Sequence, residues 1–343
     1  LTPAKILLIR LRRIGDVVMT TPAVALLKKH FPGASLHYLV EEPFRRLVDG
    51  NPGIERAIAI PAKQKIKDFV RLIRKIRKEK YDAILDFHGG PRASWITFWS
   101  GAKLKIGYAV KKKSFLYDIR ISRRGENGPI HSVINHANLV RALGAKFDDA
   151  DIPPLFLPEP RPEDIERVSR LLREAGAGAA KLVALHIGAG NQFRDWGPGN
   201  IAKLIDLLAR ISGVRVALIG ADGDKTAETE ILKTAKAASV PFAGRLNLAE
   251  TRVLIGRAAL FVGPDSGPMH IAASTPTPIV AYFGPTLPAH FAPWRKDAGR
   301  TVLLQKNLAC RPCRQRECLT GDFRCLLGIT PEEVFAACRP FLL

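Results

Sequence analysis

The sequence predicts an α/β chain folded as two Rossmann-like domains, and three observations carry that prediction. Short apolar runs alternate with helical patterns through the first third of the chain, five prolines fall within residues 153–162, and the alternation restarts at residue 182. Strand–helix alternation of this kind builds a parallel sheet covered by helices on both faces. Two domains also fit the length of 343 residues, since domains commonly run ~100–200 residues.

In the first half the expected strands are 5–9, 35–40, 57–60, 81–87 and 104–108, with helices at 22–30 and 66–78 among the segments between them. Proline fixes φ and removes an amide donor, so 153–162 supports neither a helix nor a central strand and reads as a linker. The domains are expected at 1–155 and 163–343. A helix follows from about Glu163, then strands at 182–187, 214–220, 260–263 and 278–283. Helices are expected at 200–211, 225–237, 248–257 and 268–274. The chain ends in a helix capped by Thr330, with Pro331 at its first position and Glu333 completing a capping box.

The net charge of +21 is uneven. Residues 1–160 carry 29 Lys/Arg against 15 Asp/Glu, or +14; the remainder carries 24 against 17, or +7. A basic domain attracts polyanions: nucleic acid, anionic lipid or a phosphorylated glycan. The sharpest concentration is residues 63–80, where Lys63, Lys65, Lys67, Arg71 and further cations surround Phe69, Leu72, Ile73 and Ile76 at helical spacing. That pattern is a basic amphipathic helix, docked on its own sheet, facing an anionic surface, or both. No run reaches the ~18 apolar residues of a membrane span. The apolar core at 6–9 is too short for a secretory h-region, so a cytoplasmic location is expected.

Four strand ends are candidates for chemistry. Gly15-Asp16 follows the first strand, where a carboxylate either takes a proton from a hydroxyl or merely caps a helix. Asp265-Ser266-Gly267-Pro268-Met269-His270 follows another strand. Ser266 or Gly267 there caps a helix whose free amides favour an anion, and Asp265 is placed to meet sugar hydroxyls. His186-Ile187-Gly188-Ala189-Gly190 leads into a loop carrying Arg194 before Trp196. Glycines allow close approach of a phosphate, and Arg supplies bidentate charge. Asp222-Gly223-Asp224 ends a fourth strand, where an acid commonly holds a ribose. Its D-x-D spelling as a metal motif is set aside, because it lies in a strand–helix turn. Cys310, Cys313, Cys318 and Cys325 are spaced to offer four thiolates to zinc, or are reduced structural thiols. Trp95 and Trp99, four apart, are expected to pack within a helix.

These sites, in this order, resemble glycosyltransferase family 9, the ADP-heptose:lipopolysaccharide heptosyltransferases. The likeness includes the opening 5–22, the His-x-Gly-Ala loop, the Asp-Ser-Gly-Pro-Met-His run, Phe283-Gly284-Pro285-Thr286 and the cysteine-rich tail. It implies a GT-B fold, two Rossmann-like domains facing each other across a cleft, with acceptor on the first and ADP-sugar on the second. The catalytic base falls on Asp16 and the ribose acid on Asp224. Gly188, Asp265, Ser266, Gly267 and His270 fall in the donor site, and Gly244 near the adenine. The phosphate-binding Lys of the family falls on Arg194, a departure that keeps charge and changes geometry. The resemblance further implies inversion at the anomeric carbon, no metal or other cofactor, and ADP-heptose as donor. The implied acceptor is lipid A–Kdo or a heptosylated inner core, met by Lys63, Lys65, Lys67 and Arg71 at the anionic inner face of the inner membrane. A sugar-nucleotide epimerase is the alternative reading. A nucleic-acid-binding protein leaves the paired strand-end sites unexplained, and no nucleic-acid partner is expected.

Overall fold

The computed structural model describes residues 3–109, 114–123, 128–188 and 190–343. The chain divides into two compact units, Leu1–Glu159 and Pro160–Leu343.

The first unit holds β1 (Lys5–Ile9), β2 (Ser35–Glu41), β3 (Arg56–Ile60), β4 (Ala83–Asp86), β5 (Leu104–Tyr108) and β6 (Ile119–Ile121). Its helices are α1 (Ile14–Val18), α2 (Thr21–His30), α3 (Ile66–Lys78), α4 (Pro91–Trp99) and α5 (Ser132–Ala142). All strand pairs are parallel, in the order β3-β2-β1-β4-β5-β6. The central strands are apolar on both faces because helices cover both: Ile6 to Ile9 are fully buried. One core layer joins Leu7, Ile9, Leu39 and Ile84 of the sheet to Leu72 and Ile76 of α3 and Ala93 and Ile96 of α4. The proline-rich stretch is anchored rather than free. Leu155 and Leu157 are buried, and the Phe156 amide donates to Thr21 Oγ1 at 3.0 Å.

The second unit repeats the plan. It contains β7 (Lys181–His186), β8 (Val214–Ile219), β9 (Ser239–Pro241), β10 (Leu260–Pro264), β11 (Ile279–Phe283) and β12 (Thr301–Gln305), with α6 (Pro162–Glu174), α7 (Pro198–Leu208), α8 (Lys225–Thr234), α9 (Leu248–Arg257), α10 (Gly267–Ala273), α11 (Pro288–Phe291), α12 (Arg324–Leu327) and α13 (Pro331–Leu342). The order β12-β11-β10-β7-β8-β9 is again parallel throughout. Trp196 is buried in its core, donating Nε1–H to Ile329 O at 2.8 Å and lying 4.8 Å from the Tyr282 ring. The Thr330 capping box of α13 forms as expected.

The strands expected from sequence are all present, with ends shifted by one or two residues. Three edge strands, β6, β9 and β12, were not expected. Two are only three residues long and β9 ends in a proline, too little pattern to read. Trp95 and Trp99 do lie on a helix, α4, but on its outer face: both rings are part-exposed and pack against Phe98 of the same helix.

Candidate active site

In each sheet the strand order reverses at one point, between β1 and β4 in the first unit and between β7 and β10 in the second. Ligands of open parallel sheets bind at the carboxyl ends of strands beside such a reversal. The candidate residues cluster at both.

At the β1 end, Arg10 continues the strand, its amide donating to Leu39 O. Its buried guanidinium donates through Nη1 to Phe87 O at 2.7 Å, and Nη2 pairs with the Asp16 carboxylate. The turn to α1 passes through Arg13 at φ 71°, a conformation costly for a side-chain-bearing residue. Arg13, not Asp16, occupies the cap position of α1. Asp16 lies in the first turn with its side chain 25% exposed, held by Arg10 and open to solvent.

The neighbouring β4 end is built on Asp86, which is completely buried. It accepts from the amides of His88 and Gly89 at 2.8 and 2.9 Å and from Tyr117 Oη at 2.6 Å. Burial raises its carboxyl above the ordinary range. The Tyr117 ring fills the space a side chain at Gly107 would need, 2.4 Å from its Cβ position. The loop is pinned again by Arg123, whose Nη2 donates to His88 O at 3.2 Å while its guanidinium stacks 3.9 Å from the Tyr108 ring. Burial first, then the charges of Arg10 and Arg12, push the His88 imidazole down to about 4. It is therefore neutral at pH 7. Since β3 runs parallel to β1, the segment bearing Lys63, Lys65 and Lys67 leaves the sheet at the same edge. All three are exposed. Lys65 lines an open depression of ≈ 300 Å³ with Gln64, Ile66, Phe69 and Arg92, and Arg71 pairs with Asp68 at 3.5 Å.

In the second unit, the β7 end carries His186 and Gly188; Ala189 of the same loop lies outside the described residues. Burial takes the His186 imidazole down to about 3, and its Nδ1 shares a 3.0 Å hydrogen bond with Ser266 Oγ. Ser266 does hold the cap position of α10, but its hydroxyl turns to His186 instead of the helix amides. Gly267 opens α10, and His270 is buried within it. Asp265 is also buried; Thr286 Oγ1 donates to its Oδ2 at 2.6 Å. Arg194 Nη1 lies 3.3 Å from the same oxygen and donates to Asp265 O at 3.1 Å, while Nε donates to Gln315 Oε1 at 3.1 Å. Two of the three guanidinium nitrogens are thus committed inside the protein. Nη2 makes no hydrogen bond among the described residues, which leaves one nitrogen, with its two N–H donors, uncommitted.

Gly188 has a second reason to be glycine. A Cβ there would meet the Asp224 carboxylate at 2.2 Å. Asp224 folds back to accept from the Ala221 amide at 2.6 Å, and Asp222 pairs instead with Lys225 at 2.6 Å. The two acids of the D-x-D spelling therefore face different partners. At Gly244, with φ 67°, an added Cβ would lie 2.9 Å from Asp222 Cα, so only glycine fits. The four tail cysteines are free thiols around one cavity that Phe193 and Arg311 also line. The zinc reading is not supported by their placement: among the described residues no three metal-ligating side chains are positioned to hold an ion.

Sequence reading missed Arg10, Asp86, His88, Tyr117 and Arg123 in the first unit and Gln315 in the second. The strand-end His88-Gly89-Gly90 was the one local signal available. The others act across 31 to 121 residues of chain or through burial.

Two parallel six-stranded units of this kind, with polar sites at both strand-order reversals, define a GT-B-type glycosyltransferase fold. The structure superposes on an Escherichia coli ADP-heptose LPS heptosyltransferase II with a TM-score of 0.81 at 21% identity, covering 98% of each chain. It superposes on a family 9 glycosyl transferase from Veillonella parvula with a TM-score of 0.83 at 21% identity, covering 99% and 97%. Among curated relatives, lipopolysaccharide heptosyltransferase 3 of Escherichia coli is 29% identical over 298 residues, 82% of this chain and 84% of that protein. The family model for glycosyltransferase family 9 (heptosyltransferase) matches residues 69–323, and the chain belongs to that family.

Proposed function

We propose that this glycosyltransferase moves heptose from ADP-heptose onto the lipopolysaccharide inner core, with inversion and with Asp16 as general base. The reading is supported by family membership and by the lipopolysaccharide heptosyltransferase relative. The observation that carries it is Asp16 itself, a partly exposed carboxylate at the strand-order reversal, oriented by a buried arginine that Phe87 O fixes in turn.

In this mechanism Asp16 accepts the proton of an acceptor hydroxyl as its oxygen bonds to the anomeric carbon. The bond from that carbon to the ADP phosphate breaks, and ADP leaves with the electron pair. Arg194 Nη2 meets the charge that develops on the leaving phosphate. Asp224, Gly188 and Gly244 shape the nucleoside side of the second unit, with Asp265, Ser266, Gly267 and His270 forming the turn beneath the sugar. Lys63, Lys65, Lys67 and Arg71 meet the anionic inner core on the first unit, at a membrane face. One displacement requires one base and no covalent sugar–enzyme intermediate, and the phosphate charge is met without a divalent ion.

The test is Asp16→Asn. Turnover should fall ~10²–10⁴-fold, the usual cost of losing a general base, while ADP affinity by calorimetry stays at the native value. Native activity should persist in EDTA. Native turnover in the variant removes Asp16 from the chemistry.

A further inference from the structure

Helix α4 has two unlike faces. Ala93, Ser94, Ile96 and Thr97 are buried, while Trp95, Phe98 and Trp99 point outward, 38%, 37% and 49% exposed. These three lie at i, i+3 and i+4, one stripe of a helix. Their rings stack edge to face, Trp95 on Phe98 at 5.9 Å and Phe98 on Trp99 at 5.2 Å. The result is a continuous aromatic ridge in water. Single exposed apolar residues are ordinary; a contiguous patch of large ones marks a surface that meets something.

Helix α3 lies beside it, packed into the same core layer. It also exposes apolar side chains, Ile66 at 84% and Val70. Around them stand Lys67, Arg71, Arg74, Lys75, Arg77 and Lys78, all exposed. Residues 63–80 hold nine Lys/Arg against two Asp/Glu, a net +7. Among the described residues Lys67, Arg74, Lys75, Arg77 and Lys78 form no ion pair with a carboxylate, so their charge is available.

We propose that the α3–α4 face is a membrane-docking surface, seating its aromatic ridge at the headgroup level of an anionic bilayer. Indole and phenyl rings favour the membrane–water interface. Lys and Arg on the flanking helix are drawn by an anionic leaflet, and their long stems lie along apolar surface while the heads stay wet. The cations are spread along the whole of α3, which suits a diffuse anionic plane more than one acidic peptide. A second copy of the chain is disfavoured, since two such basic faces repel. The proposal deepens the membrane placement in the functional reading by naming the contact surface, and it requires none of the transfer chemistry.

The experiment is flotation of the full chain with phosphatidylcholine vesicles, with and without phosphatidylglycerol, read alongside tryptophan emission. Binding should require the anionic lipid and shift the emission of Trp95 and Trp99 to the blue. Trp95→Ser/Trp99→Ser should lower partitioning by about tenfold or more. Arg74→Gln/Lys75→Gln/Arg77→Gln should weaken binding and flatten its salt dependence. Because these side chains are exposed, both variants should melt and bind ADP like the native protein. Unchanged partitioning of the Trp variant overturns the proposal, as does equal binding to neutral vesicles. So does an absence of vesicle binding, with or without self-association through this face. No lipid enters a transfer assay with a water-soluble acceptor fragment, so failure here leaves the catalytic reading to stand or fall separately.

Discussion

Replacing Arg194 by alanine removes two things at once, and the structure allows them to be separated. The guanidinium compensates the Asp265 carboxylate, 3.3 Å from Nη1, and bonds Asp265 O and Gln315 Oε1. Asp265 is buried while Arg194 is partly exposed, and Thr286 still donates to Asp265 in the variant. A lost hydrogen bond to a charged group is worth ~1.5–3 kcal/mol, and stranding a fully buried charge costs more. With one partner part-exposed, Arg194→Ala should cost about 1–3 kcal/mol, and a unit of this size melts ~2–4 °C lower for each kcal/mol. Arg194→Lys keeps the charge but reaches fewer of the three acceptors, so it should fall between native and Ala in both melting temperature and ADP affinity. Adding Asp265→Asn to Arg194→Ala removes the stranded charge and should restore part of the stability. It should not restore ADP affinity if Nη2 binds phosphate. Thermal melts and ADP calorimetry on the native protein, Arg194→Ala, Asp265→Asn and the double variant complete the cycle, with Arg194→Lys as a fifth protein. Full recovery of ADP affinity in the double variant would show that Arg194 acts only through Asp265 and never touches the nucleotide.

Acid should destabilise the fold through its buried histidines. Unfolded His takes up a proton near pH 6.5, but His88 resists to about 4 and His186 to about 3. Their folded values are lowered, so stability is full above the unfolded value and declines as pH falls through that window, by ~1.4 kcal/mol per pH unit for each proton. In urea melts His186→Asn, which can still bond Ser266, should flatten the slope by about one proton; an unaltered slope would clear His186. Replacing Lys63, Lys65 and Lys67 together by Gln should raise the acceptor KM and weaken its salt dependence, leaving donor affinity unchanged. If donor affinity falls and the acceptor KM holds, the roles given to the two units are reversed.

What the sequence made legible was position along the chain. Apolar runs marked the strands, and glycines and acids after them marked the strand ends, so Asp16, Gly188, Asp224 and Asp265 were placed just beyond their strands without coordinates. What it hid was the partner of each. The Arg10 contact with Phe87 O spans 77 residues, and that of Arg194 with Asp265 spans 71; no local pattern encodes either. Helical spacing showed that Trp95 and Trp99 share a face, but periodicity is silent on whether a face meets core or water, and here it meets water. Gly188 shows the same limit from the other side. Its place after a strand pointed to a close phosphate, yet the nearest demand on it is the Asp224 carboxylate, 2.2 Å from where its Cβ would lie. A glycine records that something must come close, and only the fold says what. Here the neighbour is the acid proposed to hold the ribose, so a side chain at 188 would displace Asp224 before it ever met a nucleotide.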